Sequence, residues 1–194
     1  MKKVNNQCRV NEILQKSQKI AVVQVSLPAL AVKKAQSLLE SGINAMEIAY
    51  RDLENFDATD ECIRAIRDQV PGMNIGAATI TNPGLAKRAK KAGAQFIFSA
   101  GFNPGTVKWC VNHDMPVIPG VATPGEIEQA MQFGLTYLKL FPVTVLGGTD
   151  FLRALKGPYP QIKFMVSGGV NEQNWEQFLS LDNVFAVSGS WLAK

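Results

Sequence analysis

The feature that most constrains this chain is a repetition of structural type rather than of residues. Short apolar, β-branched runs alternate with longer amphipathic ones along the whole length. Strands are predicted at Ile20–Ser26, Ala45–Arg51, Asn74–Thr79, Phe96–Gly101, Val117–Val121, Tyr137–Pro142, Lys163–Gly169 and Val184–Ser190. Helices are predicted between them, at Leu30–Ser41, Ala58–Gln69, Pro83–Ala92, Pro104–His113, Pro124–Phe133, Thr149–Lys156 and Glu172–Leu181. Several open with proline at a first-turn position, as at Asn82-Pro83, Asn103-Pro104 and Thr123-Pro124, where its fixed φ suits the helix and its missing N–H is not needed. Gly42, Gly93 and Gly134 lead three helices into the next strand. Successive strands start about 23 residues apart, the length of one strand, one helix and two short loops. Eight such units in one order predict a compact (β/α)8 TIM barrel, with a doubly wound open sheet as the fallback. At ~150 residues per domain, the 194 residues make one domain spanning 1–194. Only Trp191, Leu192, Ala193 and Lys194 follow the last strand, so the eighth helix is expected to be missing or truncated. An N-terminal helix at Arg9–Ser17 is expected to cover one barrel end, or a neighbouring subunit the bare flank.

Composition narrows the class. Hydrophobic residues make up 46% and charged residues 19%, which excludes a disordered or fibrous chain. No apolar run approaches the ~20 residues of a membrane helix. The N-terminus is polar after its two lysines and lacks the apolar core of a signal peptide. A cytoplasmic location is the expectation. Cys8, Cys62 and Cys110 are scattered and odd in number, which fits a reducing compartment better than a disulfide framework or a zinc site. The net charge of +4 suits small anionic substrates as readily as nucleic acid.

In a barrel of this type the chemistry sits at the C-terminal ends of the strands. Alternation along Tyr137-Leu138-Lys139-Leu140-Phe141 puts the two leucines under the helices and points Lys139 into the barrel. Desolvation favours a lysine's neutral amine, the form that attacks carbonyls; the bland alternative is a lysine snorkelling from a strand end. Strand two repeats the anomaly, with Glu47 and Arg51 inward and Met46, Ile48 and Tyr50 outward. These are either an ion pair or a proton-transfer group beside a carboxylate-binding guanidinium. Ser167-Gly168-Gly169 and Ser188-Gly189-Ser190 end the last two strands, where glycines let backbone N–H groups approach an anion. Loops after strands seven and eight are the usual barrel phosphate site. The basic run Lys87-Arg88-Ala89-Lys90-Lys91 reads as a solvated face without the aromatics that stack on nucleic acid. His113 is the only histidine, against a histidine-rich metal site or a Ser–His–Asp triad.

Together these runs resemble the 2-keto-3-deoxy-6-phosphogluconate (KDPG) and 4-hydroxy-2-oxoglutarate (KHG) aldolase family. The likeness rests on Met46-Glu47-Ile48-Ala49-Tyr50-Arg51, Gly76-Ala77-Ala78-Thr79-Ile80, Pro119-Gly120-Val121-Ala122-Thr123-Pro124, Lys139-Leu140-Phe141-Pro142 with Gly147-Gly148, Gly168-Gly169, and Gly189-Ser190-Trp191-Leu192. The resemblance implies a class I aldolase, usually a homotrimer, needing no metal or other cofactor. It would cleave a KDPG-like phosphorylated keto acid to pyruvate and glyceraldehyde 3-phosphate, or KHG to pyruvate and glyoxylate. Lys139 would form the imine and Glu47 would move protons. Arg51 and Thr79 would hold the carboxylate, and Phe141 would pack on the pyruvyl group. Ser167, Gly168, Gly169, Gly189 and Ser190 would hold the distal phosphate. Its partners would then be small molecules, with neither nucleic acid nor membrane. Three departures fall on the substrate side: Ser167 where the family commonly has Thr, Pro142-Val143-Thr144 after the lysine, and Ala49-Tyr50-Arg51-Asp52 on strand two. The competing readings are an isomerase or epimerase that binds phosphates without an imine, and a non-catalytic anion-binding barrel.

Overall fold

A computed structural model describes residues 13–14 and 17–193. Its strands are β1 (Lys19–Val23), β2 (Ala45–Ala49), β3 (Asn74–Ala78), β4 (Phe96–Phe98), β5 (Val117–Ile118), β6 (Gly120–Val121), β7 (Tyr137–Leu140), β8 (Lys163–Ser167) and β9 (Val184–Gly189). Its helices are α1 (Pro28–Glu40), α2 (Phe56–Gln69), α3 (Pro83–Ala92), α4 (Pro104–Asn112), α5 (Pro124–Gln132), α6 (Gly148–Lys156) and α7 (Trp175–Leu179). The chain alternates strand and helix as the sequence predicts. The sheet runs β5-β4-β3-β2-β1-β9-β8-β7-β6, and every pair is parallel. Its two edges, β5 and β6, are consecutive in the chain, so the sheet curls into a nearly closed barrel.

The sequence counts Val117–Val121 as one strand, and the structure divides it at Pro119. Proline has no N–H to give a ladder. Gly120 sends its own N–H to Ser99 Oγ at 3.2 Å. The run therefore pairs with β4 before the proline and with β7 after it. The Pro119 carbonyl still accepts from Lys139 N–H at 2.9 Å. A Cβ on Gly120 would lie 2.2 Å from the Ala100 carbonyl oxygen, so only glycine lets the two chain segments approach this closely.

The helix starts follow the local chemistry. Asn82 accepts from Leu85 N–H and Asn103 from Thr106 N–H. Thr123 forms a reciprocal capping box with Glu126, satisfying donors that a helix leaves open. Gly42, Gly93 and Gly134 all take positive φ, as helix exits need.

Three apolar clusters follow. Ala21, Val23, Met46, Ile48, Tyr50, Ile75, Ala77, Ile97 and Val117 face outward onto the early helices. Val121, Leu138, Leu140, Phe164, Val166, Val184 and Val187 do the same on the other half. The barrel interior holds Ile20, Ala45, Phe96, Phe98, Ile118, Met165 and Ala186, and Leu14 joins them fully buried. Of the helix expected at Arg9–Ser17, residues 9–12, 15 and 16 lie outside the described residues; Leu14 and Ser17 are described. After β9 comes one 3-10 turn, Ser190–Ala193. Among the described residues no helix is long and apolar enough to cross a membrane.

Candidate active site

Apolar side chains fill the barrel floor, and polar ones take over toward the strand ends. Glu47 is the third residue of β2 and Lys139 the third of β7. Both point inward from opposite sides of the barrel, with Lys139 Nζ 3.6 Å from Glu47 Oε1. The Lys139 side chain is 8% exposed and that of Glu47 is 0% exposed. Phe98 lies below the amine and Phe141 beside it, each ring centroid 5.7 Å from Nζ. The lysine is therefore packed among aromatic walls rather than snorkelling.

Glu47 Oε2 is buried without a hydrogen-bond partner. Burial pushes the Glu47 carboxyl above the usual carboxylate range, although Lys139, Arg51 and Ser188 oppose the rise. A carboxyl held this way is better placed than an ordinary one both to take a proton and to return it. Ser188 Oγ stands 3.5 Å from Glu47 Oε1 and 3.4 Å from Ser167 Oγ. These hydroxyls join the Lys139–Glu47 pair to the ends of β8 and β9. Ser188 was absent from the residues the sequence assigned a role. Its inward position could have been found from the alternation with Ala186.

Arg51 and Thr79 meet at the mouth, where Arg51 Nε donates to Thr79 Oγ1 at 3.3 Å. Thr79 sits at φ +60°, a left-handed conformation that is rare for a β-branched residue and typical of functional strain. Arg51 is exposed and leaves most of its guanidinium donors for a ligand. Behind it, Tyr50 faces the helix layer and donates to Asp60 Oδ1 at 2.6 Å. Asp60 also pairs with Arg88 Nη2 at 2.8 Å. Arg88 is thus drawn toward the α2 carboxylates, while Lys87, Lys90 and Lys91 of the same run are exposed, in keeping with the solvated face the sequence predicts.

Two cavities adjoin one another at the strand ends, with Val22, Arg51, Phe141 and Ser167 lining both. One, about 40 Å³, is lined by Glu47, Arg51, Thr79, Lys139, Phe141 and Ser167, among others. The other, about 150 Å³, shares Arg51, Phe141 and Ser167 and continues to Gly168, Gly169, Gly189 and Ser190. All ten residues to which the sequence assigns a role therefore line one or the other of these two adjoining cavities. Gly168 and Gly169 both have positive φ. A Cβ on Gly169 would lie 1.9 Å from Thr144 Oγ1. A larger cavity, about 530 Å³, opens between α2 and α3 beside Arg64, Lys87 and Arg88; it contains none of these ten residues.

The family model described as KDPG and KHG aldolase matches residues 10–194. The chain belongs to the KDPG/KHG aldolase family. It is 38% identical to the 2-dehydro-3-deoxy-phosphogluconate aldolase of Treponema pallidum over 93% of this chain and 84% of that protein. It is 34% identical to the KHG/KDPG aldolase of Escherichia coli K12, over 89% of this chain and 79% of that one. Among solved structures, the KDPG aldolase of Legionella pneumophila superposes with a TM-score of 0.88 at 31% identity, covering 93% of this chain and 86% of that one. That structure holds pyruvate as a covalent carbinolamine. The Zymomonas mobilis enzyme with 3-phosphoglycerate gives a TM-score of 0.90 at 25% identity, covering 95% and 86%. The isomerase, epimerase and non-catalytic alternatives have no counterpart among these relatives.

Proposed function

We propose that this aldolase cleaves a 2-keto-3-deoxy-6-phospho sugar acid to pyruvate and glyceraldehyde 3-phosphate through an imine on Lys139. KHG, giving pyruvate and glyoxylate, is a second substrate of the same site. The observation that carries the reading is the buried Lys139–Glu47 pair, at 3.6 Å, in a cavity that adjoins the one lined by the two glycine loops. It is supported by the family and by the relatives' aldolase activity.

Lys139 Nζ attacks C2 of the keto acid, and the carbinolamine loses water to give a protonated imine. Arg51 and Thr79 hold the carboxylate, which fits the forked guanidinium, and Phe141 packs against the three-carbon portion. Glu47 removes the proton of the C4 hydroxyl. The C3–C4 bond then breaks, its electron pair flowing into the iminium to give an enamine and a free aldehyde. Glu47 returns a proton to C3, and hydrolysis frees pyruvate and Lys139. Ser167, Gly168, Gly169, Gly189 and Ser190 hold the distal phosphate through backbone N–H groups and hydroxyls.

On the same reading residues 1–194 form one eightfold βα domain, with β5 and β6 as one interrupted strand. The enzyme works in the cytoplasm as a homotrimer and takes small keto acids, neither nucleic acid nor membrane, as partners. The test is a coupled assay of pyruvate release from the phosphorylated keto acid. Pyruvate and glyceraldehyde 3-phosphate in equal amounts are the expected result. Folded protein that releases neither overturns the proposal.

A further inference from the structure

The glycine loop after β8 can bind an anion only if its carbonyl oxygens turn away and its N–H groups turn in. Two side chains outside that loop impose this orientation. The Gly168 carbonyl accepts from Thr144 Oγ1 at 3.1 Å and from Thr144 N–H at 3.2 Å. The Gly169 carbonyl accepts from Asn174 Nδ2 at 3.0 Å and from Asn171 Nδ2 at 3.5 Å. Asn174 is held in turn, its Oδ1 accepting from Asn171 N–H at 2.8 Å. In a planar trans peptide the N–H points opposite the carbonyl. Fixing Gly168 O and Gly169 O therefore aims the N–H groups of Gly169 and Val170 the other way. Neither N–H has an acceptor among the described residues, and both residues line the distal cavity. Thr144 also packs directly on the Gly169 backbone, which limits rotation of that peptide.

We infer that Thr144 and Asn174 are positioning residues that set this enzyme's preference for phosphorylated over unphosphorylated keto acids. They orient the peptide groups that bind the terminal phosphate without touching the substrate themselves. The inference rests on the distal-anion reading above and is separable from it. Neither Thr144 nor Asn174 lines the cavity that contains Lys139, so they leave imine formation alone.

The experiment compares kcat/KM for a 2-keto-3-deoxy sugar acid with and without its terminal phosphate, in wild type, Thr144→Val and Thr144→Ser. Wild type favours the phosphorylated acid. Thr144→Val reduces that preference roughly threefold to tenfold, the worth of one neutral hydrogen bond, through KM for the phosphorylated acid alone. Thr144→Ser restores it, and borohydride adduct formation with pyruvate is unchanged in both. If Thr144→Val fails to fold, Asn174→Ala carries the same comparison. A wild type without any preference overturns the distal-anion reading and this inference together. A preference that survives both Thr144→Val and Asn174→Ala overturns the inference alone, as does an equal loss on both substrates.

Discussion

Replacing Glu47 by Gln separates binding from proton transfer at this site. The amide keeps the shape of the carboxyl, and Ser188 Oγ, 3.5 Å away, can stay in place. What is lost is a group that accepts a proton from C4 and returns one to C3. Glu47 is the carboxylate lining the cavity that contains Lys139, so no neighbour in that cavity substitutes for it. Loss of a positioned general base costs 10²–10⁴ in rate, roughly 3–5 kcal/mol at 1.36 kcal/mol per decade. The expected result is a kcat for cleavage lowered by that factor, read by coupled pyruvate detection. The Lys139 imine still forms, read by borohydride reduction and intact mass. A kcat within threefold of wild type would refute the assignment, because a carboxyl that is merely structural could be exchanged for its amide without loss of rate.

Three further outcomes follow from the same geometry. The acid limb of kcat/KM lies above the ordinary glutamate value of ~4.3, because burial raises Glu47 and cleavage needs its carboxylate form. Activity is therefore present above the raised pKa and lost as pH falls through it; a limb at or below the ordinary value in a pH–rate profile contradicts this. Arg51→Leu raises KM for the keto acid roughly tenfold to a hundredfold, the worth of a charge-assisted hydrogen bond, while saturating pyruvate still gives the Lys139 adduct; steady-state kinetics with an unchanged KM would remove Arg51 from carboxylate binding. Tyr50→Phe deletes a buried hydroxyl that donates to Asp60 at 2.6 Å, at a cost of about 1.5–3 kcal/mol. That corresponds to a melting temperature lower by roughly 3–12 °C, and an unchanged melt would show that Asp60 needs no such donor.

Much of this site was legible in strand alternation. Lys139 and Glu47 stand out because each interrupts an inward-facing apolar row, and a two-residue period assigns a face without knowledge of the partner strand. Arg51 and the paired glycines were legible from their places at strand ends. The interactions between them were not. Ser188 and Glu47 are 141 residues apart in sequence, and only barrel closure brings them together. Phe98 beneath the amine was hidden in an apolar run that reads equally as core. The break in Val117–Val121 arose where Pro119 removes a donor and Ala100 crowds Gly120, a contact no local pattern displays. Thr144 acts on a carbonyl oxygen 24 residues away and Asn174 on one only five residues away, yet neither side chain carries a signal of that until the loop is folded against it.

Borohydride reduction in the presence of pyruvate, followed by intact mass and peptide mapping, tests the imine on Lys139 most directly. One reduced pyruvyl adduct per chain, located on Lys139 and absent in Lys139→Ala, is the predicted result. Folded wild-type protein with no adduct, an adduct on another lysine, or a Lys139→Ala variant that still cleaves the keto acid would contradict it.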